Sequence, residues 1–466
     1  MKRFCLGFSL WILAASYAVG APNVVLFLVD DLGWMDLGCQ GSVYYQTPNI
    51  DALAKSGVRI TDAYAACAVC SPTRAAILTG KYPARLMLTQ WLPAGRWAPK
   101  KNRMREGRFV RSLPLEEITL AEALREEGYA TWHIGKWHLG GTPFSLPKHH
   151  GFDVNIAGDD HGAPGSYFHP FKGTWRVPTT PHKVAKQTYD GGKPGDYLTD
   201  VLSDAAVNLI RQQPRNQPFF LYFPFYNVHT PLQGKKDKLA RYAAVPMSKR
   251  QGTPDYAAMV ESVDDGVGRV MAVLRELELA KNTLVIFTSD NGGFARATTH
   301  GPLRANKGAH YEGGIRVPLI FAGAGVTDPG RISQAPVMSA DLYPTILDVA
   351  QLSARPHQHV DGKSLAGILK REAPPDRTSI FWHYPHYNQH PSSAPVSIIR
   401  QGSWKLLEFL ESGAVELYDL AADLGESNDL AKKEPQRAAE LLAELHAWKT
   451  NVGADPMLPN PEYQAP

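Results

Sequence analysis

The stretch Cys70-Ser71-Pro72-Thr73-Arg74 runs on through Ala-Ala-Ile-Leu-Thr to Gly80 and sets a thiol two residues before a proline and four before an arginine. Proline is tolerated in the first turn of a helix, so Cys70 falls at a helix start, where unpaired N–H groups favour a developing anion. Cys67 lies three residues upstream and completes a Cys-x-x-Cys pair. Read alone, the segment is a nucleophile site, a redox pair or a helix cap. A second set of residues follows apolar runs: Asp30-Asp31, Asn227-Val228-His229 and Asp290-Asn291. A lone Asp-Asp is more often solvated or a cap, but hard oxygens from two strand ends suit a Ca2+ or Mg2+ ion. Asp30, Asp31 and Asp290 would supply carboxylates and Asn291 a neutral oxygen. Lys136 and His138 stand two apart after a strand and so share one face of an extended chain. By themselves they read as a loop base beside a core histidine. With Arg74, His229 and Lys307 they form a set of cations matched to an anionic transition state. The segment 301–318, GPLRANKGAHYEGGIRVP, carries Lys307, and Glu312 and Arg316 read as structural. Its glycines permit close approach of backbone to a ligand, although in isolation it also reads as a surface turn.

These residues need a scaffold that gathers distant strand ends. The run 23–29 is continuously apolar, as in a strand buried on both faces. Further strands are predicted at 130–134, 219–225, 284–288 and 317–322, and helices at 48–57, 119–127, 196–212, 256–279 and 340–349. Alternating strand and helix up to about residue 350 predicts an α/β fold with a doubly wound, mostly parallel sheet. Ligand sites in such sheets lie beyond the carboxyl ends of the strands. Later the texture changes to short strands at 379–384, 396–400, 403–409 and 414–418 and a final helix at 435–450. These predict a smaller C-terminal α+β domain with an antiparallel sheet, the boundary falling in the Pro-rich and charged stretch 355–376. The division expected is 21–360 for the catalytic domain and 361–466 for the C-terminal one.

Hydrophobic residues make up 44% of the 466 and charged residues 20%, proportions ordinary for a globular protein. A formal net charge of +4 gives no ground for a nucleic-acid partner. Residues 1–20 have a basic start at Lys2-Arg3, an apolar core and the small-x-small triplet Ala18-Val19-Gly20, the pattern of a signal peptide. That core is too short for a stable membrane span, so the chain is expected to meet the export machinery and to be periplasmic or secreted. Beyond Cys5, three cysteines remain, an odd count that argues against a disulfide framework. A Cys67–Cys70 disulfide lacks the βαβ context of thioredoxin-like motifs.

Taken together, VDDLG at 29–33, CSPTRAAILTG at 70–80, GKWHLG at 135–140, NVHTP at 227–231, SDNGG at 289–293 and KGAHYEGGIRVP at 307–318 resemble, in order, the motifs of type I, formylglycine-dependent sulfatases. This is a group of the alkaline-phosphatase-like superfamily that includes arylsulfatases and N-acetylgalactosamine sulfatases. The resemblance implies that a separate maturation enzyme oxidises Cys70 to formylglycine, whose hydrate attacks a sulfate ester. It implies Ca2+, with Mg2+ as the alternative, on Asp30, Asp31, Asp290 and Asn291, with Asp290 as base. Arg74 would steady the nucleophile. Lys136, Lys307 and His229 would contact the sulfate, His229 would protonate the leaving alcohol, and His138 would take the proton of the second hydroxyl. Thr73 stands where many members have serine, and it keeps the hydroxyl.

The implied substrate is a sulfated carbohydrate, such as a galactose or N-acetylgalactosamine sulfate. The stretch 91–95 carries that hint. Asp159, Asp160, His161, His300 and His310 are candidates to read sugar hydroxyls. Trp382, Tyr384, His386 and Tyr387 could form an aromatic wall. Arg96, Lys100, Lys101, Arg103, Arg105, Arg108 and Arg111, opposed within the run by Glu106, read equally as a glycan-holding strip or a solvated loop. Two alternatives stand beside this reading: a phosphonate or phosphodiester hydrolase of the same superfamily, and a non-catalytic binder of sulfated glycans.

Overall fold

The computed structural model describes residues 20–92, 97–176 and 183–464. Residues 1–19 of the expected leader, most of the stretch 91–95, and Arg96 lie outside the described residues. The main sheet has eight strands: β1 (Asn23–Val29), β2 (Gly57–Ile60), β3 (Ala130–Ile134), β4 (Val154–Ile156), β5 (Phe219–Pro224), β6 (Thr283–Ser289), β7 (Leu319–Gly323) and β8 (Arg331–Ser333). Their order across the sheet is β8-β2-β7-β6-β1-β5-β3-β4. All pairs are parallel except those of β7, which runs against both β6 and β2. The sheet is therefore mostly parallel, as the alternating pattern predicts, with one reversed strand.

β1 lies at the centre, and its side chains divide strictly by face, as the twofold period of a strand requires. Val25, Phe27 and Val29 join a core with the helices α1 (Pro48–Lys55), α4 (Leu198–Gln212) and α5 (Pro254–Glu276). Val24, Leu26 and Leu28 join a second core, with α2 (Cys70–Thr79), α3 (Leu120–Glu126) and α6 (Leu342–Val349). Helices on both faces make the sheet doubly wound. Local chemistry sets several helix ends. Thr119 and Glu122 form a capping box at the start of α3. Thr253 caps α5, with Pro254 in its first turn. Gly80 ends α2 in the left-handed region at φ 68°, where a Cβ would fall 2.3 Å from that of His359.

A second, antiparallel sheet consists of β9 (Ser379–Tyr384), β10 (Val396–Gln401), β11 (Trp404–Phe409) and β12 (Val415–Asp419), in that order. One face packs on α7 (Pro435–Val452) through Ile399, Leu406, Leu417, Leu441 and Leu445. The other covers residues 64–69, the segment that leads into Cys70, through Trp382, Tyr384, Ile398 and Leu407. The small sheet therefore acts as a buttress behind the Cys70 segment. No described helix is long and apolar enough to cross a membrane.

Candidate active site

β1 and β6 pair in register to Val29 opposite Ser289, which sets Asp30 beside Asp290 just past the sheet. The Asp31 N–H donates to Asp290 Oδ1 at 3.2 Å, and the Asn291 amide donates to Asp31 Oδ1 at 2.8 Å. Residues after β5 are stitched to the same edge, because Asp30 N–H donates to the Asn227 carbonyl at 2.9 Å. The loop after β3 joins through Lys136 N–H to the Pro224 carbonyl, 2.8 Å. Four neighbouring strand ends thus deliver one cluster.

The cluster balances three carboxylates against three cations. Lys136 Nζ donates to Asp30 at 2.6 Å, and Lys307 Nζ lies 2.6 and 2.7 Å from the two oxygens of Asp31. Arg74 donates twice to Asp290 Oδ2, at 2.9 and 2.7 Å, and once to the Lys136 carbonyl at 2.9 Å. Arg74, Lys136, Asp30 and Asp290 are fully buried. Two oxygens nevertheless lack a hydrogen-bond partner: Asp30 Oδ1, which stands 3.8 Å from Arg74, and Asn291 Oδ1. Buried acceptors left open cost stability unless something occupies them. Burial, together with Asp290 and Asp31, pushes the Asp30 carboxyl up to about 8 against the pull of Lys136. Burial also opposes ionisation of Asp31, but Lys307, and after it His229, hold it below the usual carboxylate range. An all-oxygen set of three carboxylates and one amide, with two open acceptors from adjacent strand ends, fits a hard divalent cation.

Cys70 opens α2, and Val69 before it offers no side-chain cap. Its sulfur lies within 4.8 Å of ligand atoms of Asp30 and Asp290, and, in a second grouping, of Asp31 and His229. Burial pushes its thiol up to about 11, and that of Cys67 to about 12. Redox-active and nucleophilic cysteines have lowered values, so neither the thioredoxin-like pair nor a thiolate at residue 70 matches this environment. All described cysteines are free. Thr73 Oγ1 accepts from Cys67 N–H at 3.1 Å, and Ser71 Oγ donates to the His138 carbonyl at 2.9 Å. Together they fix the Cys70 turn from both sides.

The sulfatase family model matches residues 22–352, about seven-tenths of the chain. The chain belongs to the sulfatase family. A second model, N-sulphoglucosamine sulphohydrolase, C-terminal, matches residues 305–452. This sulfatase is 32% identical to a sulfatase of Formosa agariphila over 92% of its own length and 88% of the relative's. It is 32% identical to human arylsulfatase A, over 90% and 85% of the two chains. Human N-acetylgalactosamine-6-sulfatase is 32% identical over 79% and 70%. The crystal structure of Ps i-CgsB in complex with k-i-k-neocarrahexaose superposes with a TM-score of 0.76 and 31% identity, over 92% of both chains.

In this sulfatase, His138 and Lys136 do reach one cluster, though not along an extended strand. His138 adopts φ 60°, between left-handed Gly135 and Gly140. Its Nε2 lies 2.5 Å from the Leu92 carbonyl, so Nε2 carries the proton, and buried Nδ1 is a free acceptor. Burial and Lys136 keep the ring neutral. His229 donates from Nδ1 to the Thr230 carbonyl at 2.9 Å and turns Nε2 toward Asp31, 3.7 Å away. Burial and Lys307 depress it below the ordinary histidine value. Arg74, expected to steady the nucleophile, is anchored by hydrogen bonds to Asp290 and the Lys136 backbone.

The expectations for His310 and for the aromatic wall are corrected. His310 is buried behind the Cys70 segment, its Nε2 3.3 Å from Ala68 N and 3.6 Å from the Cys67 sulfur, so it supports the turn rather than facing a sugar. Its position next to Lys307 in sequence concealed that burial. His161 is half-buried, its Nδ1 2.6 Å from Asp160 and 3.2 Å from Asp159. His300 lies against Gly293, whose Cβ would fall 2.9 Å from its ring. Trp382, Tyr384 and His386 form no wall: all three are buried, and the Trp382 indole donates to the Ala65 carbonyl at 2.8 Å. Tyr387 is half-buried and donates to Glu411. Gly313 and Gly314 serve chain-on-chain packing, since a Cβ on them would fall 2.3 or 1.7 Å from the carbonyls of Ala305 and Ala309. Asp36 and Tyr256 were missed. The Tyr256 hydroxyl lies 2.6 Å from Asp36, which accepts Gly33 N–H at 3.0 Å and shapes the loop after Asp31.

Proposed function

We propose that this sulfatase removes sulfate from a sulfated carbohydrate, with Cys70 matured to formylglycine and Ca2+ held by Asp30, Asp31, Asp290 and Asn291. The observation that carries the reading is the gathering of Cys70, four oxygen-bearing residues and three buried cations at adjacent strand ends, with two oxygens open. The raised thiol of Cys70 adds to it, because an ordinary cysteine would be inert there. Ca2+, or Mg2+ in its place, would acidify a hydroxyl of residue 70 and polarise a sulfate oxygen.

The protein's own groups do the rest. Asp290 accepts a proton from one hydroxyl of hydrated residue 70, and that oxygen attacks sulfur while the bond from sulfur to the sugar oxygen breaks. Lys136 and Lys307 balance the charge on the sulfate oxygens. His229 Nε2 hands a proton to the leaving alcohol; the anionic ester beside it favours the imidazolium that burial alone disfavours. His138 Nδ1 then takes the proton of the second hydroxyl, the carbon–oxygen bond to sulfate breaks, and the aldehyde returns. The carbohydrate is supported by the names of relatives that act on N-acetylgalactosamine sulfate or hold a neocarrahexaose. With this go a leader at 1–20, export to the periplasm or beyond, and the division into 21–360 and 361–466.

Mass spectrometry of the Cys70 peptide from the native host tests the maturation, and an unmodified thiol in fully active protein would overturn it. Cys70→Ser leaves one hydroxyl and no elimination route, so it should accumulate a sulfated enzyme after a single turnover. Continued turnover would contradict the second proton transfer.

A further inference from the structure

Outside the site, the most concentrated charge lies on residues 97–111. This segment leaves the chain after Leu92, whose carbonyl holds His138, and returns at Leu113, whose N–H donates to the Leu139 carbonyl at 2.8 Å. Its far side rests on the 385–387 turn, through Gly107 N–H to the Pro385 carbonyl at 2.9 Å and Met104 N–H to the Tyr387 hydroxyl at 3.2 Å. A few residues later that turn reaches His390, whose side chain would contact a Cβ on Gly308, the neighbour of Lys307. The segment is therefore tied on both sides to loops that carry catalytic cations.

Its backbone is firmly held. Met104–Arg105 pairs with Leu458–Pro459, and Asn460 donates to the carbonyls of Pro99 and Asn102 at 2.6 and 2.7 Å. The side chains of Lys100, Lys101, Arg103, Arg105, Arg108 and Arg111 are exposed. Carboxylates face Arg108 and Arg105. Asp455 takes Arg108 at 2.7 Å, Glu462 stands 3.9 Å from Arg105, and Glu106 turns inward to His386 at 3.0 Å. Among the described residues, Lys100, Lys101 and Arg103 have no carboxylate partner within ion-pair distance. A hydrogen-bonded backbone that presents unbalanced cations, and is tied to the loops that build an anion-cleaving site, raises the local concentration of polyanions.

We infer that Lys100, Lys101 and Arg103 form a second anion subsite, which takes sulfate groups on sugars next to the one being desulfated. The substrate class is then a multiply sulfated oligosaccharide. This rests on the carbohydrate reading above. The test is the charge reversal K100E/K101E/R103E in the matured full chain, on exposed side chains that hold no part of the core. The substrates are an aryl sulfate, a monosulfated saccharide and an oligosaccharide carrying three or more sulfates. Measurements run at low ionic strength and at about 1 M salt, where the screening length is about 3 Å. For the oligosaccharide, KM should rise about tenfold or more at low salt with kcat held, and high salt should abolish the difference. The two small substrates should change less than about twofold. An unchanged oligosaccharide KM, or an equal loss on all three substrates, would overturn the subsite. Wild-type turnover of the aryl sulfate without the saccharides would instead remove the carbohydrate reading.

Discussion

Arg74 commits its three nitrogens inside the protein, two to Asp290 and one to the Lys136 carbonyl. A lysine there carries the charge but lacks the fork that makes both contacts. Arg74→Lys should therefore lower kcat about a hundredfold and weaken the response to added Ca2+, because Asp290 loses its anchor. Steady-state kinetics over a Ca2+ titration measures both, and circular dichroism checks the fold. The residues that the cluster gathers were largely legible: strand ends betray Asp30, Asp31, Asp290 and Asn291, and the Cys-x-Pro-x-Arg spacing betrays Cys70 and Arg74. Which way a loop side chain turns was not legible. His310 stands in a motif segment and Tyr384 at the end of β9, yet both pack behind the Cys70 turn, with rings 4.8 Å apart. The choice between cleft and core depends on the small sheet, which lies some three hundred residues beyond Cys70 in sequence.

At the scale of elements, the long apolar runs and amphipathic stretches fall where the pattern puts them, within a few residues. α3 begins at Leu120 because Thr119 and Glu122 cap each other. Thr119→Ala should cost about 1 kcal/mol in chemical denaturation and leave kcat unchanged, since α3 contributes no side chain to the cluster. Shortness hid β2 and β8, four and three residues long. The reversal of β7 was hidden for a different reason. Its five residues read as a buried strand, and direction comes only from its partners β6 and β2. Glycine carried an ambiguous signal too. Gly308 at φ 85° and Gly313 against Ala305 both look like ligand-binding glycines in sequence, yet each answers to a neighbouring chain segment.

At the scale of the whole molecule, Lys405 of β11 is shared by Glu312 at 2.9 Å and Glu426 at 2.8 Å, all three fully buried. Arg316 and Arg400 join through Asp62, tying the 307–318 loop to the small sheet. One lysine cannot satisfy two carboxylates. Glu312 stays below its ordinary value, and burial pushes Glu426 up to about 7 against the pull of Lys405. A carboxyl raised in the folded state stabilises fully below its unfolded value, near 4.5, and that stability is lost as pH rises through about 7. Glu426→Gln keeps an acceptor for the Glu312 N–H and removes the titration. Between pH 5 and 8 the wild type should therefore lose about 2–3 kcal/mol relative to the variant, read from thermal unfolding at each pH. A parallel pH dependence in both proteins would refute the assignment. The order of the main sheet has a consequence in time. β1 is the first strand made, yet its neighbours β5 and β6 begin at Phe219 and Thr283. A growing chain therefore carries a seven-residue apolar strand with both edges bare for nearly two hundred residues, an aggregation hazard of long-range pairing. A chain halted before Ser289 holds Cys70, Arg74 and Lys136 but neither Asp290 nor Asn291, so the cluster is completed only late.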